Sequence, residues 1–421
     1  MKVLVLGSGA KDHAITWKFS KSRRISGLFI APGNAGTEKL GINLPEIDPS
    51  DPQAVLQACH DHKIDIVFAG TESPIASGVV DVLLEEGIKT FGATKHAVKL
   101  EGDRSFAREF STRHHIPMPE HAIVSSSAEL IQHIETHPGI RFVIKKNGLA
   151  PSRVMLDSSD PEALLVFGDE LLKDDEILIE EHLKGMPLTL SVLTDGENYL
   201  MLPISSEYTK AEEQDKGAAT GGMGSICPVP VLGRDNNRKI IENIVKPALA
   251  GMKEEGFSYK GILIFSLILT SEGPKLVDYH VRFNDPATQA MLPLINSDFL
   301  DMFDALLSGN IADFNLKVSN QSSVAIVIAS EGYPSYPQID KSITLSPLAS
   351  CNMVIENSIV FYGAVEKYRD KLMTKGGRCF TVVGLGTNII EANSAAYATL
   401  PDISFKGAWS RSDIGNKFFH E

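Results

Sequence analysis

The sequence predicts a multidomain protein of mixed α/β and α+β class whose first unit is a parallel sheet covered by helices. Two observations carry that expectation. Across the first hundred residues, short apolar runs alternate with helix-like segments, the pattern of parallel strands joined by crossover helices. Each run also ends in small or turn-forming residues: Gly7-Ser8-Gly9, Pro32 to Thr37, Gly70 to Pro74 and Gly92-Ala93-Thr94. Such loops lie at the carboxyl ends of the strands, where open parallel sheets bind ligands.

The expected strands of this unit are Val3–Leu6, Leu28–Ala31, Ile64–Ala69 and Thr90–Phe91. The loop Gly7-Ser8-Gly9 invites a dinucleotide reading, but the third glycine of GxGxxG falls at Asp12. The second strand ends Ile30-Ala31-Pro32, with no acid to take a ribose hydroxyl. A loop whose amides hold a single phosphate at a helix start fits better, with a plain tight turn as the competing reading.

A second unit opens near Leu100, where Asp103 can cap a helix running through Phe110 and stopping before Pro117. His114 and His115 are adjacent, point different ways and read as a solvated helix end. The strand Arg141 to Lys146 delivers lysines to a turn at Gly148, and a later strand ends in Glu180-Glu181 before Gly185. The apolar run Gly261–Leu269 is too short to cross a bilayer and reads as a buried strand. The glycine-dense run Asp215 to Gly224 reads as a loop whose amides can approach an anion, or as a flexible surface loop. In the strand Pro274–Phe283, period-two alternation puts Leu276, Asp278, His280 and Arg282 on one face. The last three form a ladder able to hold a metal and a phosphate, with a plain solvent-exposed face as the competing reading, which Asp285 in the next turn weakens.

Composition bounds the class. Of 421 residues, 40 are basic and 53 acidic, for a net charge of −13, which argues against nucleic acid as the partner. With 43% hydrophobic residues the chain is ordinary globular protein. Cys59, Cys227, Cys351 and Cys379 form no CxxC pair and read as buried thiols. Met1 to Leu6 runs straight into Gly7, leaving no room for a signal peptide. The expectation is a cytoplasmic protein with no membrane partner, a monomer or weak dimer.

Taken together, Val3 to Gly9 with His13-Ala14, Ala31 to Thr37, Leu100 to Ala107, Thr220 to Gly224, Arg282 to Pro286 with Thr288-Gln289, and Arg411 to Gly415 occur in a recognisable order. The chain resembles the phosphoribosylamine-glycine ligase (glycinamide ribonucleotide synthetase) family of purine biosynthesis, within the ATP-grasp superfamily. The resemblance implies a Rossmann-like N-terminal domain over 1–101, an ATP-grasp domain over 102–320 with a small part at about 117–190, and a C-terminal domain over 321–421. It implies ATP-dependent joining of glycine to 5-phosphoribosylamine through a glycyl phosphate, with Mg²⁺ or Mn²⁺. By the same resemblance Arg282 and Asp285 are catalytic, Lys145, Glu180, Glu181 and Leu183 bind ATP, and Asp278 and His280 hold the metal. Gly7, Ser8, Gly9, Asn34, Glu72, Asp215, Gly221, Gly222 and Met223 bind the other substrates.

The departures gather in the nucleotide half. Where the family usually reads IKADGLAAGKGV, the run Ile144 to Val154 is one residue shorter, lacks the late glycines and carries Pro151 and Arg153. Pro187 stands where an acid usually meets the ribose. Asp278 and His280 replace a glutamate and an asparagine, Ala287 a glutamate and Ala219 an asparagine, while Thr209 and Lys210 are what stands for a basic pair. A second reading therefore stands beside the ligase: a divergent paralogue with weakened or lost ATP and metal binding, acting as a binding or regulatory protein or on another substrate.

Overall fold

The computed structural model describes residues 1–148, 155–230, 232–257, 259–351 and 353–419. The expected stiff phosphate loop at Pro151 and Arg153 lies outside the described residues, as does the side chain of Cys351.

The first sheet is parallel. Its order is Ile42–Asn43, Gly27–Pro32, Lys2–Gly7, Ile66–Ala69, Lys89–Phe91. The two-residue strand Ile42–Asn43 is too short to show in a periodicity. Strand order reverses beside Lys2–Gly7, so the loops after Gly7 and after Ala69 part from each other and leave a crevice at the sheet's carboxyl edge. The helix Ala10–Phe19 that follows is buried along its whole length. Phe19 packs edge-on against Phe68 and Phe299, tying the first sheet to the helix Phe299–Leu307.

The second unit holds two antiparallel sheets. The smaller, ordered His121–Val124, Ile177–Glu181, Phe142–Lys146, Met155–Ser158, has its own core with the helices Ser127–Thr136 and Pro161–Leu171. The larger runs Tyr199–Met201, Met186–Thr194, Gly261–Thr270, Gly273–His280. Its central strand is the apolar run read from the sequence, and Ile262 to Phe265 are fully buried. A bulge interrupts the last pairing: Ser266 faces Asp278 while Leu267 faces Leu276, leaving Val277 as the extra residue. The expected ladder is corrected there. Leu276 joins the core with Tyr279 and Val281, and Val277 turns towards the cleft with Asp278, His280 and Arg282.

A six-stranded sheet joins the rest: Ser206–Glu212, Lys216–Cys227, Ser322–Ala329, Arg378–Gly386, Ser358–Tyr362, Val354–Ile355. The glycine-dense run is thus a strand rather than a loop. Strand Ser322–Ala329, the first element after residue 320, pairs antiparallel with it, so the C-terminal part packs directly onto the site wall. A four-stranded sheet, Val365–Tyr368, Lys371–Thr374, Ser342–Leu345, Ile403–Ser404, completes the chain. Cys59, Cys227 and Cys379 are buried free thiols. Among the described residues no helix is long and apolar enough to cross a membrane.

Candidate active site

One cleft of about 1040 Å³ runs from the first sheet's carboxyl edge to the gap between the two antiparallel sheets, with the C-terminal part as its third wall. At the first end, Gly7, Ser8 and Gly9 line it together with Glu72. The amide of Gly9 is not open to a ligand, because it donates to Asp12 Oδ2 at 2.9 Å. A carboxylate three residues along thus takes one of the amides expected to meet a phosphate. Burial raises the Asp12 pKa, with Lys11 beside it pulling the other way. Lys11 is buried too, and burial lowers its pKa. Its ammonium donates to Gly70 O at 2.7 Å and Phe283 O at 3.0 Å, which leaves one of three N–H groups. Asn34 braces this loop instead of lining the cleft. Its Nδ2 donates to Ser8 O and Tyr362 O, both at 2.8 Å, and its Oδ1 accepts from the amides of Gly36 and Thr37.

The polar ladder forms the floor. Arg282 pairs with Glu72 and, at 2.8 Å, with Glu101. Glu101 also accepts from the Val281 amide at 3.0 Å and meets His280 Nδ1 at 3.1 Å. Burial alone would push the Glu101 carboxyl up, but Arg282 and the His280 contact outweigh it and hold it at about 2. An ionised carboxylate only accepts, so Nδ1 of His280 carries the proton. Its Nε2 lies 3.1 Å from Ser266 Oγ. Both ring nitrogens are engaged, and His280 presents no free lone pair to a metal.

At the far end, Lys145 reaches across from the small sheet. Its ammonium lies 2.7 Å from Glu180 and 3.1 Å from Asp278, and it is almost wholly buried. Arg108 grips the other side of Glu180, Nε to Oε1 at 2.6 Å, and both cations reach the Val277 carbonyl. That carbonyl belongs to the bulge, so side chains near it replace ladder partners. Arg104 Nε is 3.8 Å from Asp278 and has no hydrogen-bond partner although buried. Burial would raise the Asp278 pKa, yet Lys145, then Arg104, drive it well below the usual carboxylate range. Glu181, Leu183, Pro187 and Leu188 continue the wall past the strand end at Glu181. Apolar Leu183, Leu188 and Ile268 beside charged Lys145 make a surface suited to a flat ring with a charged tail.

Across the cleft, the glycine strand is used differently from the expectation. The Gly221 amide donates to Tyr333 Oη at 2.9 Å and the Gly222 amide to Thr220 Oγ1 at 3.0 Å, so neither is left for an anion. The glycines serve close packing. A Cβ on Gly222, where φ is +112°, would stand 2.4 Å from Pro286 Cδ, and one on Gly221 would press on the Arg378 guanidinium at 2.9 Å. Arg378 Nη1 donates to Gly221 O at 2.7 Å and to Asp285 Oδ1 at 2.9 Å. Met223 is fully buried against Val327 and Ala329, and Asp215 is exposed and paired with Arg411 at 3.0 Å. Neither lines the cleft.

Three family models cover most of the chain: the phosphoribosylglycinamide synthetase N domain over residues 1–101, its ATP-grasp (A) domain over 102–288 and its C domain over 323–417. The chain belongs to the phosphoribosylglycinamide synthetase family. Two bacterial phosphoribosylamine–glycine ligases are similar over their full length. That of Chlorobaculum tepidum is 34% identical, over 99% of this chain and 100% of the relative. That of Caldanaerobacter subterraneus subsp. tengcongensis is 35% identical, over 98% and 99%. The crystal structure of the Thermotoga maritima phosphoribosylamine–glycine ligase superposes with a TM-score of 0.84 at 29% identity, covering 98% of this chain and 100% of that one.

Within this synthetase fold the structure brings together Gly7, Ser8, Gly9, Glu72, Lys145, Glu180, Glu181, Leu183, Gly221, Asp278, His280, Arg282 and Asp285 on one cleft. It leaves Asn34, Asp215 and Met223 outside and sets Gly222 just behind the wall. Sequence reasoning missed Glu101, Arg104, Arg108 and Arg378. The first three stand within or beside the Leu100–Ala107 motif, and Arg104 and Arg108 share a helix face by their spacing of four. Arg378 carries a weaker sign, the preceding Gly376-Gly377. Among the described residues no group of three or more His, Cys, Asp or Glu is placed to hold a metal.

Proposed function

We propose that this chain joins glycine to 5-phosphoribosylamine at the expense of ATP, through a glycyl phosphate. The observation that supports the reading best is the single cleft, which connects an apolar and cationic nucleotide end at Leu183, Leu188 and Lys145 to an acid-and-arginine end at Glu72, Arg282 and Asp285. The reacting groups must be held side by side, and one continuous cleft provides for that.

In this reading Lys145 and Arg104 face the nucleotide phosphates, and Glu181 and Leu183 the base. Arg282, between Glu72 and Glu101, neutralises the phosphoryl group as it passes to the glycine carboxylate. The bond from phosphorus to the ADP oxygen breaks as the bond to the carboxylate oxygen forms. The amine then forms the C–N bond, the C–O bond to phosphate breaks with its electron pair on phosphate, and the departing phosphate takes the amine proton. Glu72 and the Gly7–Gly9 loop hold the phosphoribosyl amine, and Asp285 lies beside the acyl-transfer wall.

The family implies a divalent cation, and among the described residues none forms a preformed centre for one. Lys145 holds Oδ2 of Asp278, and His280 is bonded at both nitrogens. Mg²⁺ or Mn²⁺ therefore enters as part of the nucleotide substrate. We place the activity in the cytoplasm, in a monomer or weak dimer. The alternative of a paralogue that has lost ATP binding gains no support from the matched families or the ligases named above.

Calorimetry with ATP and Mg²⁺, followed by phosphate release with glycine and freshly made phosphoribosylamine, tests the proposal. Saturable ATP binding and phosphate release that needs both glycine and the amine are expected. Absence of ATP binding at millimolar concentration would overturn it.

A further inference from the structure

Gly221 is held from both sides of its backbone by residues more than a hundred positions away. Its N–H ends on Tyr333 Oη, 2.9 Å distant, and its carbonyl on Arg378 Nη1 at 2.7 Å. The same Nη1 reaches Asp285 Oδ1 at 2.9 Å and lies 3.4 Å from the carbonyls of Gly222 and Asp285. Tyr333 itself is seated by a close approach: a Cβ on Gly377 would fall 2.1 Å from its ring. Tyr333 and Arg378 thus form one unit, supplied by the C-terminal part of the chain. That unit fixes two segments of the central part, the turn at Gly221 and the turn at Asp285. All four residues line the cleft. Strand pairing does not require these contacts, since the ladder between Lys216–Cys227 and Ser322–Ala329 runs only from Gly224 to Cys227.

We propose that Tyr333 and Arg378 are positioning residues for the second half of the reaction, attack of the amine on the acyl phosphate. This rests on the ligase reading above. The nucleotide end is built from Lys145, Glu180 and Leu183, none of which touches the clamp, so the clamp sets the wall against which the acyl group is transferred and leaves ATP affinity to other residues. Loosening it lets the acyl phosphate reach water before the amine. Water then supplies the oxygen that forms the new C–O bond, phosphate departs with the electron pair of the broken bond, and glycine is regenerated.

The test compares wild type with Tyr333→Phe, Arg378→Gln and Arg378→Lys, with Tyr336→Phe as an exposed control. ATP consumption and amide formation are measured side by side. For Arg378→Gln we expect kcat for amide to fall about 100-fold, the effect of a small misplacement in a two-substrate site, with KM for ATP nearly unchanged. ATP used per amide formed should rise well above one. Arg378→Lys, which keeps one charged donor, should recover part of the coupling. In Tyr333→Phe the Gly221 amide should exchange with solvent about tenfold faster. Unchanged coupling in Arg378→Gln, or a KM for ATP that rises in step with the loss of kcat, overturns the proposal. If a variant folds poorly, as read by its melting curve, Tyr333→Phe decides, since it removes a single oxygen. A wild-type protein without amine-dependent phosphate release sinks the ligase reading and the catalytic role with it. Hydrogen exchange at residues 219–223 then still tells whether the clamp exists: rates equal in wild type, Tyr333→Phe and Arg378→Gln would rule it out.

Discussion

Replacing Lys145 by Met is expected to lower kcat/KM for ATP by about 10³-fold, comparable with loss of a strong preorganised cation from a phosphoryl-transfer site. The geometry makes Lys145 the central charge at the nucleotide end. It lies between Glu180 and Asp278 on opposite sheets, and with Arg108 it satisfies the bulge carbonyl of Val277. Methionine keeps the unbranched stem and removes the charge, leaving Asp278 with the more distant Arg104 and Glu180 with Arg108. Removing one member of a buried pair costs about 3–5 kcal/mol, so the variant should also unfold at lower denaturant. Lys145→Arg separates the two effects. It should restore most of the stability and only part of the turnover, because a planar fork cannot meet two carboxylates and a phosphate in the same way as a point charge. Near-wild-type ATP turnover in folded Lys145→Met would remove Lys145 from the site.

Arg282→Ala is expected to cut kcat by about 10²- to 10³-fold and to change the protein's response to acid. Glu101 has an ordinary value of 4.5 and is held at about 2 in the fold, chiefly by Arg282 acting against burial. Its folded value is below its unfolded value, so its contribution is fully present above about pH 4.5 and is lost as pH falls through 4.5 towards 2. At neutral pH the contribution is worth about 3 kcal/mol. Without Arg282, burial dominates, the carboxyl value rises and stability at pH 7 falls. Urea unfolding should therefore show the variant weaker at pH 7, with the gap to wild type narrowing as pH drops towards 2. A gap independent of pH would mean that Arg282 does not hold Glu101 ionised.

Four of the five strands of the first sheet, the cap at Asp103 and the positions of Lys145, Glu180, Arg282 and Asp285 at or just past strand ends are legible because each depends on a short stretch of chain. Alternation finds a strand, and a loop rich in glycine after it marks a ligand edge. The errors came from events that a local pattern does not encode. One extra residue at Val277 reverses which side Leu276 faces, and alternation alone assumes no such residue. The glycines from Gly221 to Gly224 looked like an anion cradle, whereas their missing side chains admit Arg378, Pro286 and Ile414. That role depends on contacts across 60 to 190 positions and leaves no mark nearby. Asn34 departs from expectation for a related reason: a polar group beside a ligand loop can serve the loop itself, and only distances show which.

The departures at Asp278, His280 and Pro187 also read differently in three dimensions. The first two have protein partners: Asp278 faces Lys145 and Arg104, and His280 meets Glu101 and Ser266. Pro187 continues the strand Met186–Thr194, opposite Ile268, and adds apolar surface to the nucleotide wall. The chain's net charge of −13 extends into the cleft, where Lys11, Arg104, Lys145, Arg282 and Arg378 stand among nine carboxylates and several are already paired with them.

The most direct test of an acyl phosphate route is oxygen transfer. Glycine labelled with ¹⁸O in its carboxylate is supplied with ATP and freshly made phosphoribosylamine, and the released phosphate is analysed by mass. The account predicts one labelled oxygen in each phosphate formed with amide, because the carboxylate oxygen that attacks phosphorus leaves with it. Phosphate carrying no label, at any rate of ATP consumption, would contradict it.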